Sequence, residues 1–537
     1  MSNITYVILF FTILALVGHA CYTICKIRKY LHMMQLNSYF NKRYFSWILD
    51  NRIRVFHIRE LNPLFALIGM FFCNPLIVLV LFAISYFKAF LVRQHNPEKK
   101  PLIFTARATR LWLANISLLL LIYILLGITW WQIGNHWLEF SLCILVIYDF
   151  LIPILLILTN YIIWPLEKLV QNYYYNDAYS YRITLSDLKV IGITGSFGKT
   201  TTKYILNEIL RCKFNILKTP GSCNTTMGIT EIIRLKLKPI HEIFIAEMSA
   251  KQPGDIHEIC QLVKPQYGLI TAIGEQHLVT FKSLTNIIKT KNELIEALPS
   301  SGIAFLNLDD VNCRELASRA KCQVIKYGID HSDLDFTVKD LILNEHGSNF
   351  RIIRNKDAST AVFHTKLLGR HNIYNIVGAI AVASEFGIKL SDMVYPIRRL
   401  TAVPHRLELK KIHKDIIFID DAFSSNPVGS KYALEVLAQI SGNRKIIITP
   451  GMIELGSKEY EYNRIFGEQI ATVVDYVILV GQKQTLALQD GLKSKNYPSS
   501  QLLIAASFAL AKKHLEAILQ PGDVVLFEND LPDNYTE

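Results

Sequence analysis

The 537-residue chain has no cysteine pair spaced CxxC; its nine cysteines are scattered from Cys21 to Cys322. That distribution excludes a zinc ribbon, a thioredoxin-type motif and a disulfide framework, and it fits a reducing cytosolic setting for whatever part is soluble. Acidic residues are scarce at the start. Residues 1–165 hold 14 Lys/Arg against 5 Asp/Glu, which places +9 of the net +12 there. With 51% hydrophobic residues and a mean hydropathy of +0.26, a wholly soluble enzyme is excluded, and the basic excess points to anionic lipid rather than nucleic acid. No single core accommodates this length, so about three domains are expected.

Tyr6 to Ile24 is an uncharged apolar run long enough to cross a bilayer, which takes about 20 residues. It lacks the basic start and small-residue cleavage site of a signal peptide, so it reads as a retained anchor. Two further spans follow near Leu111–Trp131 and Trp137–Trp164, joined by a turn at Gly134-Asn135-His136. Pro63 to Val92, interrupted at Cys73-Asn74-Pro75, has basic loops on both sides and leaves two readings open: a re-entrant hairpin broken at Pro75, or one tilted span. Under either, the rest of the chain faces the cytoplasm. Gln35 to Trp47 interleaves aromatics with Lys42 and Arg43, as in a helix lying on headgroups or a pocket for a lipid-linked substrate. The expected division is a membrane domain (1–165), a tyrosine-rich linker (166–187) whose tyrosines form an interfacial collar, a central domain (188–395) and a C-terminal domain (396–537).

The chain also lacks the usual P-loop spacing, because Ile193 stands where the first glycine belongs. What is present is an apolar run, Leu188–Thr194, then Gly195-Ser196-Phe197-Gly198-Lys199-Thr200-Thr201, then a helical pattern through Leu210. A strand, a glycine-rich turn and a helix start offer backbone N–H groups to phosphate, with Lys199 on the outer phosphates and Thr200 on magnesium. Strand-like runs at Ile240–Ala246 and Tyr267–Ile273 end in Glu247 and in Gly274-Glu275-Gln276-His277. Charged groups repeated at strand ends beside a phosphate loop are better explained as metal ligands than as loop residues.

Thr194 to Thr201, with Lys203 after it, resembles the ATP loop of the Mur ligases, in the branch that adds D-alanyl-D-alanine to the peptidoglycan precursor. The likeness runs with gaps from about Lys189 to Phe527. It implies a fold with a P-loop central α/β domain and a Rossmann-like C-terminal domain, here behind a helical transmembrane domain. It also implies ATP and two magnesium ions held by Thr200, Glu247, His277 and a carbamylated Lys291. Asn224, Thr225 and Thr226 match the segment that shapes substrate contacts; Asn307, Asn372 and Asn375 match the segments around adenine, although asparagines near a helix start also serve as caps. In the C-terminal domain, with strands at Ile416–Ile419, Lys445–Thr449 and Tyr476–Val480, Asp421, Ser425 and Asn426 fall in the matched Asp420–Pro427 segment. Arg406 matches an arginine that meets the phosphates on closure. The acidic end, Phe527 to Tyr535, departs from the basic one of the family.

The implied activity is a membrane-anchored, ATP-dependent amide ligase of cell-wall or related envelope polymer synthesis. Catalysis falls to Lys199, His277, Lys291 and Arg406. The partners are an amino-acid or dipeptide amine, a carboxylate that is lipid-linked, and membrane lipid, with no nucleic acid; the setting is a bacterial-type plasma membrane, multi-pass. A poly-γ-glutamate synthetase-like ligase and an ATP-gated membrane sensor or transport subunit stand as alternatives.

Overall fold

The computed structural model describes residues 3–56, 75–93, 101–133, 137–412, 415–423 and 426–531. The chain divides into two compact units, residues 1–170 and 171–530. The first is helical. Among the described residues, three helices are long and apolar enough to cross a membrane, at Tyr6–Leu36, Ala106–Gln132 and Phe140–Thr184, and Leu76–Leu91 is a shorter apolar stretch. The next described helix runs Pro75–Arg93. Residues 63–74 and the 134–136 turn lie outside the described residues. Gly18 brings the first helix close to the ring of Phe87, which a Cβ would meet at 3.1 Å. Four helices share a buried polar cluster: Asp149 accepts from Thr23 Oγ1 (2.6 Å) and faces His19, and His19 Nδ1 meets Tyr123 OH at 2.6 Å, with Tyr86 against the His19 ring.

Two expectations are corrected here. The Gln35–Trp47 stretch is not one helix. It turns at Ser38 and Tyr39, both with positive φ, and a new helix runs Asn41–Asp50, burying Tyr44, Trp47 and Ile48 while Phe45 and Leu49 stay exposed. The last span and the tyrosine-rich segment form a single helix, Trp137–Thr184, running through Pro153 and Pro165. Its tyrosines are not all a collar. Tyr175, Tyr179 and Tyr181 pack on the core of the second unit, their rings burying apolar area while a hydroxyl reaches a carbonyl: Tyr181 OH donates to Leu237 O (3.2 Å). Arg182 Nε donates to Val263 O at 3.0 Å.

The second unit opens with a nine-stranded sheet, ordered β2-β3-β1-β4-β5-β6-β7-β8-β9. Strands β1 (Lys189–Thr194), β2 (Ile216–Lys218), β3 (Ile243–Glu247), β4 (Tyr267–Ile270), β5 (Ile303–Asn307) and β6 (Gln323–Gly328) are mutually parallel. β7 (Phe336–Asn344) continues parallel, and β8 (Gly347–Arg354) and β9 (Ser359–Thr365) complete an antiparallel edge. Near-continuous apolar runs such as Ile243–Ala246 suit a sheet covered on both faces. Helices Lys199–Leu210 and Arg370–Glu385 cover one face through Ile205, Leu206, Ile373 and Val377. Helices Thr226–Lys236, Asp255–Val263 and Leu284–Glu296 cover the other through Ile229, Ile259 and Leu294.

A six-stranded sheet follows, ordered β10-β11-β15-β12-β13-β14: β10 (Glu408–Ile412), β11 (Ile416–Asp421), β12 (Lys445–Thr449), β13 (Tyr476–Val480), β14 (Leu502–Ala505) and β15 (Val524–Glu528). Only β10 is antiparallel to its neighbour. Part of the acidic end is structural, since β15 holds Glu528, whose carboxylate accepts from Thr449 Oγ1 at 2.8 Å.

Candidate active site

In the parallel sheet, β1, β3, β4 and β5 all deliver their carboxyl ends to one edge. β1 sits between β3 and β4, so the connections diverge there and a crevice opens. After Thr194 the chain turns through Gly195 and Gly198, with φ of 150° and 81°. No side chain fits at either: a Cβ on Gly195 would lie 2.0 Å from Thr271 Oγ1, and one on Gly198 2.4 Å from Asn375 Oδ1. Lys199 folds over the loop, donating to Gly195 O (2.8 Å) and Ser196 O (3.2 Å). Ser196 Oγ donates to Gly274 O and accepts from Gly274 N, tying the loop after β4 to the turn.

Glu247 ends β3 beside Ile193 and is 1% exposed. One carboxylate oxygen accepts from Thr200 Oγ1 and Asn224 Nδ2, both at 3.0 Å, and the other from Lys203 Nζ at 2.7 Å. Burial alone would raise this carboxyl, but Lys203 and Lys199 hold it below its ordinary value. Lys199 is itself pushed down to about 8, by burial and by Arg406 against the pull of Glu247. Lys291, 0% exposed on helix Leu284–Glu296, falls to about 7 because it is buried and faces Lys199, and among the described residues its Nζ has no hydrogen-bond partner.

From the C-terminal sheet, Arg406 reaches the same charges: its guanidinium is lowered by burial and sustained by Glu247 and Asp421, and it lies 4.8 Å from the Phe423 ring. Burial lifts Asp421, at the end of β11, to about 7, while its carboxylate accepts from Leu407 N at 3.2 Å. The edge thus gathers three cationic side chains, two carboxylates and one unpaired amine around a glycine turn. That arrangement suits a polyphosphate with its counter-ions.

Residues 193–383 match the model of the Mur ligase middle domain, and residues 405–528 match that of the Mur ligase glutamate ligase domain. The chain belongs to the Mur ligase family. UDP-N-acetylmuramoyl-tripeptide–D-alanyl-D-alanine ligase of Bacillus subtilis is 29% identical over 350 residues, covering 63% of this chain and 72% of that protein. The Escherichia coli enzyme of the same name is 28% identical over 339 residues, covering 62% and 74%. Among solved structures, MurF from Acinetobacter baumannii superposes with a TM-score of 0.62 at 25% identity, over 68% of this chain and 78% of that one. MurF from Thermotoga maritima in complex with ADP gives 0.59 at 26% identity, over 67% and 80%. Both curated relatives are named as ligases and the Thermotoga maritima structure is a complex with ADP; this Mur ligase is an ATP-dependent, ADP-forming amide ligase.

Not every expected site residue of this Mur ligase presents itself to the crevice. Asn372 donates to Leu368 O (2.8 Å) and accepts from Asn375, whose Oδ1 accepts from Thr202 at 3.1 Å. The pair therefore clamps two helices together, and the helix it opens is capped by Gly369, not by Asn372. Asn307 takes the Asp309 N–H at 3.1 Å. Thr225 caps helix Thr226–Lys236 by accepting from Gly228 N, and Thr226 Oγ1 donates to Glu258 (2.9 Å). Asn426 caps helix Pro427–Gln439 by accepting from Gly429 N at 2.9 Å. Thr201 follows Thr200 on the first turn after the loop, and Ser425 lies outside the described residues.

His277 pairs through Nδ1 with Glu454 of the C-terminal domain. Among the described residues the one group of metal-ligating side chains already close enough to share an ion is elsewhere: His405, Glu408 and Asp420, with the Lys410 ammonium on both acids at 3.0 and 2.7 Å. Sequence reasoning used Lys203 only as a mark of the resemblance and gave no site role to it, to Glu454 or to Asp309, whose carboxylate accepts from the N–H groups of Ile329, Asp330 and His331. Lys203 carried a usable signal, four residues after Lys199 on the same helix face.

Proposed function

We propose that the chain is a membrane-anchored Mur-type ligase. It activates a carboxylate as an acyl phosphate at the Lys199 turn and joins it to an amino-acid or dipeptide amine, with D-alanyl-D-alanine, named for its relatives, as the first amine to test. The observation that carries this reading is the convergence of Lys199, Thr200, Glu247, Lys291 and Arg406 at one sheet edge. A carboxylate oxygen attacks the γ-phosphoryl group of ATP and ADP leaves; the amine nitrogen then attacks the acyl carbon, and inorganic phosphate leaves. Lys199 and Arg406 hold the phosphoryl oxygens, so positioning and charge do most of the catalytic work.

The residues fit magnesium. Thr200 Oγ1 lies 3.0 Å from Glu247, a hydroxyl and a carboxylate of the hard-oxygen type that magnesium prefers. Lys291 offers a buried amine without a partner, which adds to carbon dioxide as R–NH2 + CO2 → R–NH–COO− + H+ and so becomes a carboxylate ligand. With His277 the set would hold two ions, and these would neutralise charge gathering between ATP and the attacking carboxylate.

The membrane reading rests on the three helices long enough to span. The carboxylate carrier is inferred to be lipid-linked because only residues 185–188 separate helix Trp137–Thr184 from β1, leaving no room there for a domain that holds a soluble carrier. The test is phosphate release by the full chain in detergent, scanned over amino acids and dipeptides with lipid-linked or UDP-linked precursor. Release that depends on amine and lipid-linked carboxylate supports the proposal. Turnover on UDP-linked precursor alone refutes the lipid-linked part, a glutamate polymer as product points to the poly-γ-glutamate reading, and hydrolysis indifferent to every amine points to a sensor.

A further inference from the structure

Glu454 was not singled out by sequence, yet it meets His277, the imidazole in the proposed set of metal ligands. It sits in the Gly451–Lys458 loop of the C-terminal domain, with φ of 65°, opposite His277, which has φ of 50°. Positive φ in non-glycine residues is uncommon and costs free energy, so two such residues meeting at one contact are held there by the surrounding structure. Nearby contacts hold the same loop and the helix after it, Glu459–Ile470, against the same segment: Val279 N donates to Glu454 O (3.5 Å), Lys458 Nζ donates to Glu275 at 2.9 Å, and Tyr462 OH donates to the other Glu275 oxygen.

A carboxylate has no proton to give, so in the His277–Glu454 contact Nδ1 carries the hydrogen and donates. The neutral ring then has its lone pair on Nε2, the atom left to bind a metal. Carboxylates placed behind metal-binding histidines in this way fix the tautomer and the ring plane, and removing them typically weakens metal affinity about 10–100-fold.

We propose that Glu454 is a positioning residue for the second metal: docking of the C-terminal domain places its carboxylate on His277 Nδ1 and so sets Nε2 as a ligand only in the docked arrangement. Metal binding at His277 and docking of the domain that carries Arg406 are thereby coupled. This inference rests on the proposal that His277 is a ligand, and the test separates the two.

Mn2+ serves as the probe, titrated into the full chain in detergent with bicarbonate present, and counted by electron paramagnetic resonance. Coordinated imidazole nitrogen is followed by electron spin-echo envelope modulation. His277→Ala is expected to weaken one Mn2+ site and abolish the nitrogen modulation. Glu454→Gln is expected to weaken that same site about 10–100-fold and diminish the modulation, with Glu454→Asp recovering part of both. Lys458→Gln, which breaks a docking contact without touching His277, is expected to weaken Mn2+ binding through the looser docking but by clearly less than Glu454→Gln does; unchanged ADP affinity and thermal midpoint certify that each variant folds. No change of Mn2+ binding in His277→Ala overturns the ligand assignment itself. Loss in His277→Ala with none in Glu454→Gln overturns the role of Glu454 alone, and so does a loss in Lys458→Gln equal to that in Glu454→Gln.

Discussion

Among single residues, Lys203 and Lys291 are both lysines with no exposed surface, and they differ in what they face. Lys203 donates to Glu247 at 2.7 Å and to Gly221 O at 2.6 Å. Breaking a buried ion pair by removing one partner costs about 3–5 kcal/mol, because a charge is left uncompensated. Lys203→Met should therefore lower the thermal midpoint sharply, and adding Glu247→Leu should restore much of the stability without restoring ADP–magnesium affinity; calorimetry and nucleotide titration check both. Among the described residues Lys291 has no partner to lose. In bicarbonate-free buffer its amine titrates near 7 in the folded chain and near 10.5 unfolded, so between those values the unfolded state binds more protons and stability rises with pH across that window. Lys291→Met should flatten this rise, increase stability at pH 7 and abolish amine-dependent phosphate release. A variant less stable than the parent at pH 7 would mean the amine is not the strained group described here.

For the elements, the glycine turn works only because two helices meet beneath it. Asn375, from helix Arg370–Glu385, accepts from Thr202 and lies where a Gly198 Cβ would go. Gly198→Ala must then both adopt a left-handed backbone and displace Asn375, and ADP affinity is expected to fall at least tenfold, which is about 1.4 kcal/mol. Titration calorimetry reads it, and ADP affinity within twofold of the parent would show that the turn yields without cost. The turn itself was legible from Gly195 to Thr200, because glycine, lysine and threonine at a strand-to-helix junction act locally. So were the strands that end in Glu247 and Asp421, which are apolar runs closed by acid. The edge strands β7 to β9 were not read, since their alternation of exposed and buried residues around the Gly347 turn is a weak pattern without a partner in view. Nor could sequence show that Asn372 and Asn375 spend their amides on helix packing, or that Glu454 meets His277 across 177 residues. Contacts of that range leave no local mark in composition or spacing.

For the whole molecule, the membrane proposal and the ligase proposal attach to different units, so they can fail separately. The unit of residues 171–530 has its own cores on both faces of the nine-stranded sheet and in the C-terminal sheet. It also buries Ala178 and packs Tyr175 and Tyr181 of the helix that leads into it, so a truncation should keep those turns. A chain beginning at Gln171 is expected to fold as a soluble protein and to bind ADP–magnesium like the full chain, because Lys199, Thr200, Glu247, Lys291 and Arg406 all lie within it. Its expected loss is selective. With lipid-linked carboxylate in vesicles, amine-dependent phosphate release should drop at least 100-fold, as presentation at a membrane turns a diffusive encounter into a local one, while the same carboxylate delivered in detergent micelles should retain more of its rate. The comparison is a pair of progress curves at equal protein, one in vesicles and one in micelles. Equal rates for the truncated and full chains in vesicles would leave the first 170 residues with no part in substrate presentation, and the carrier would then have to be sought in solution.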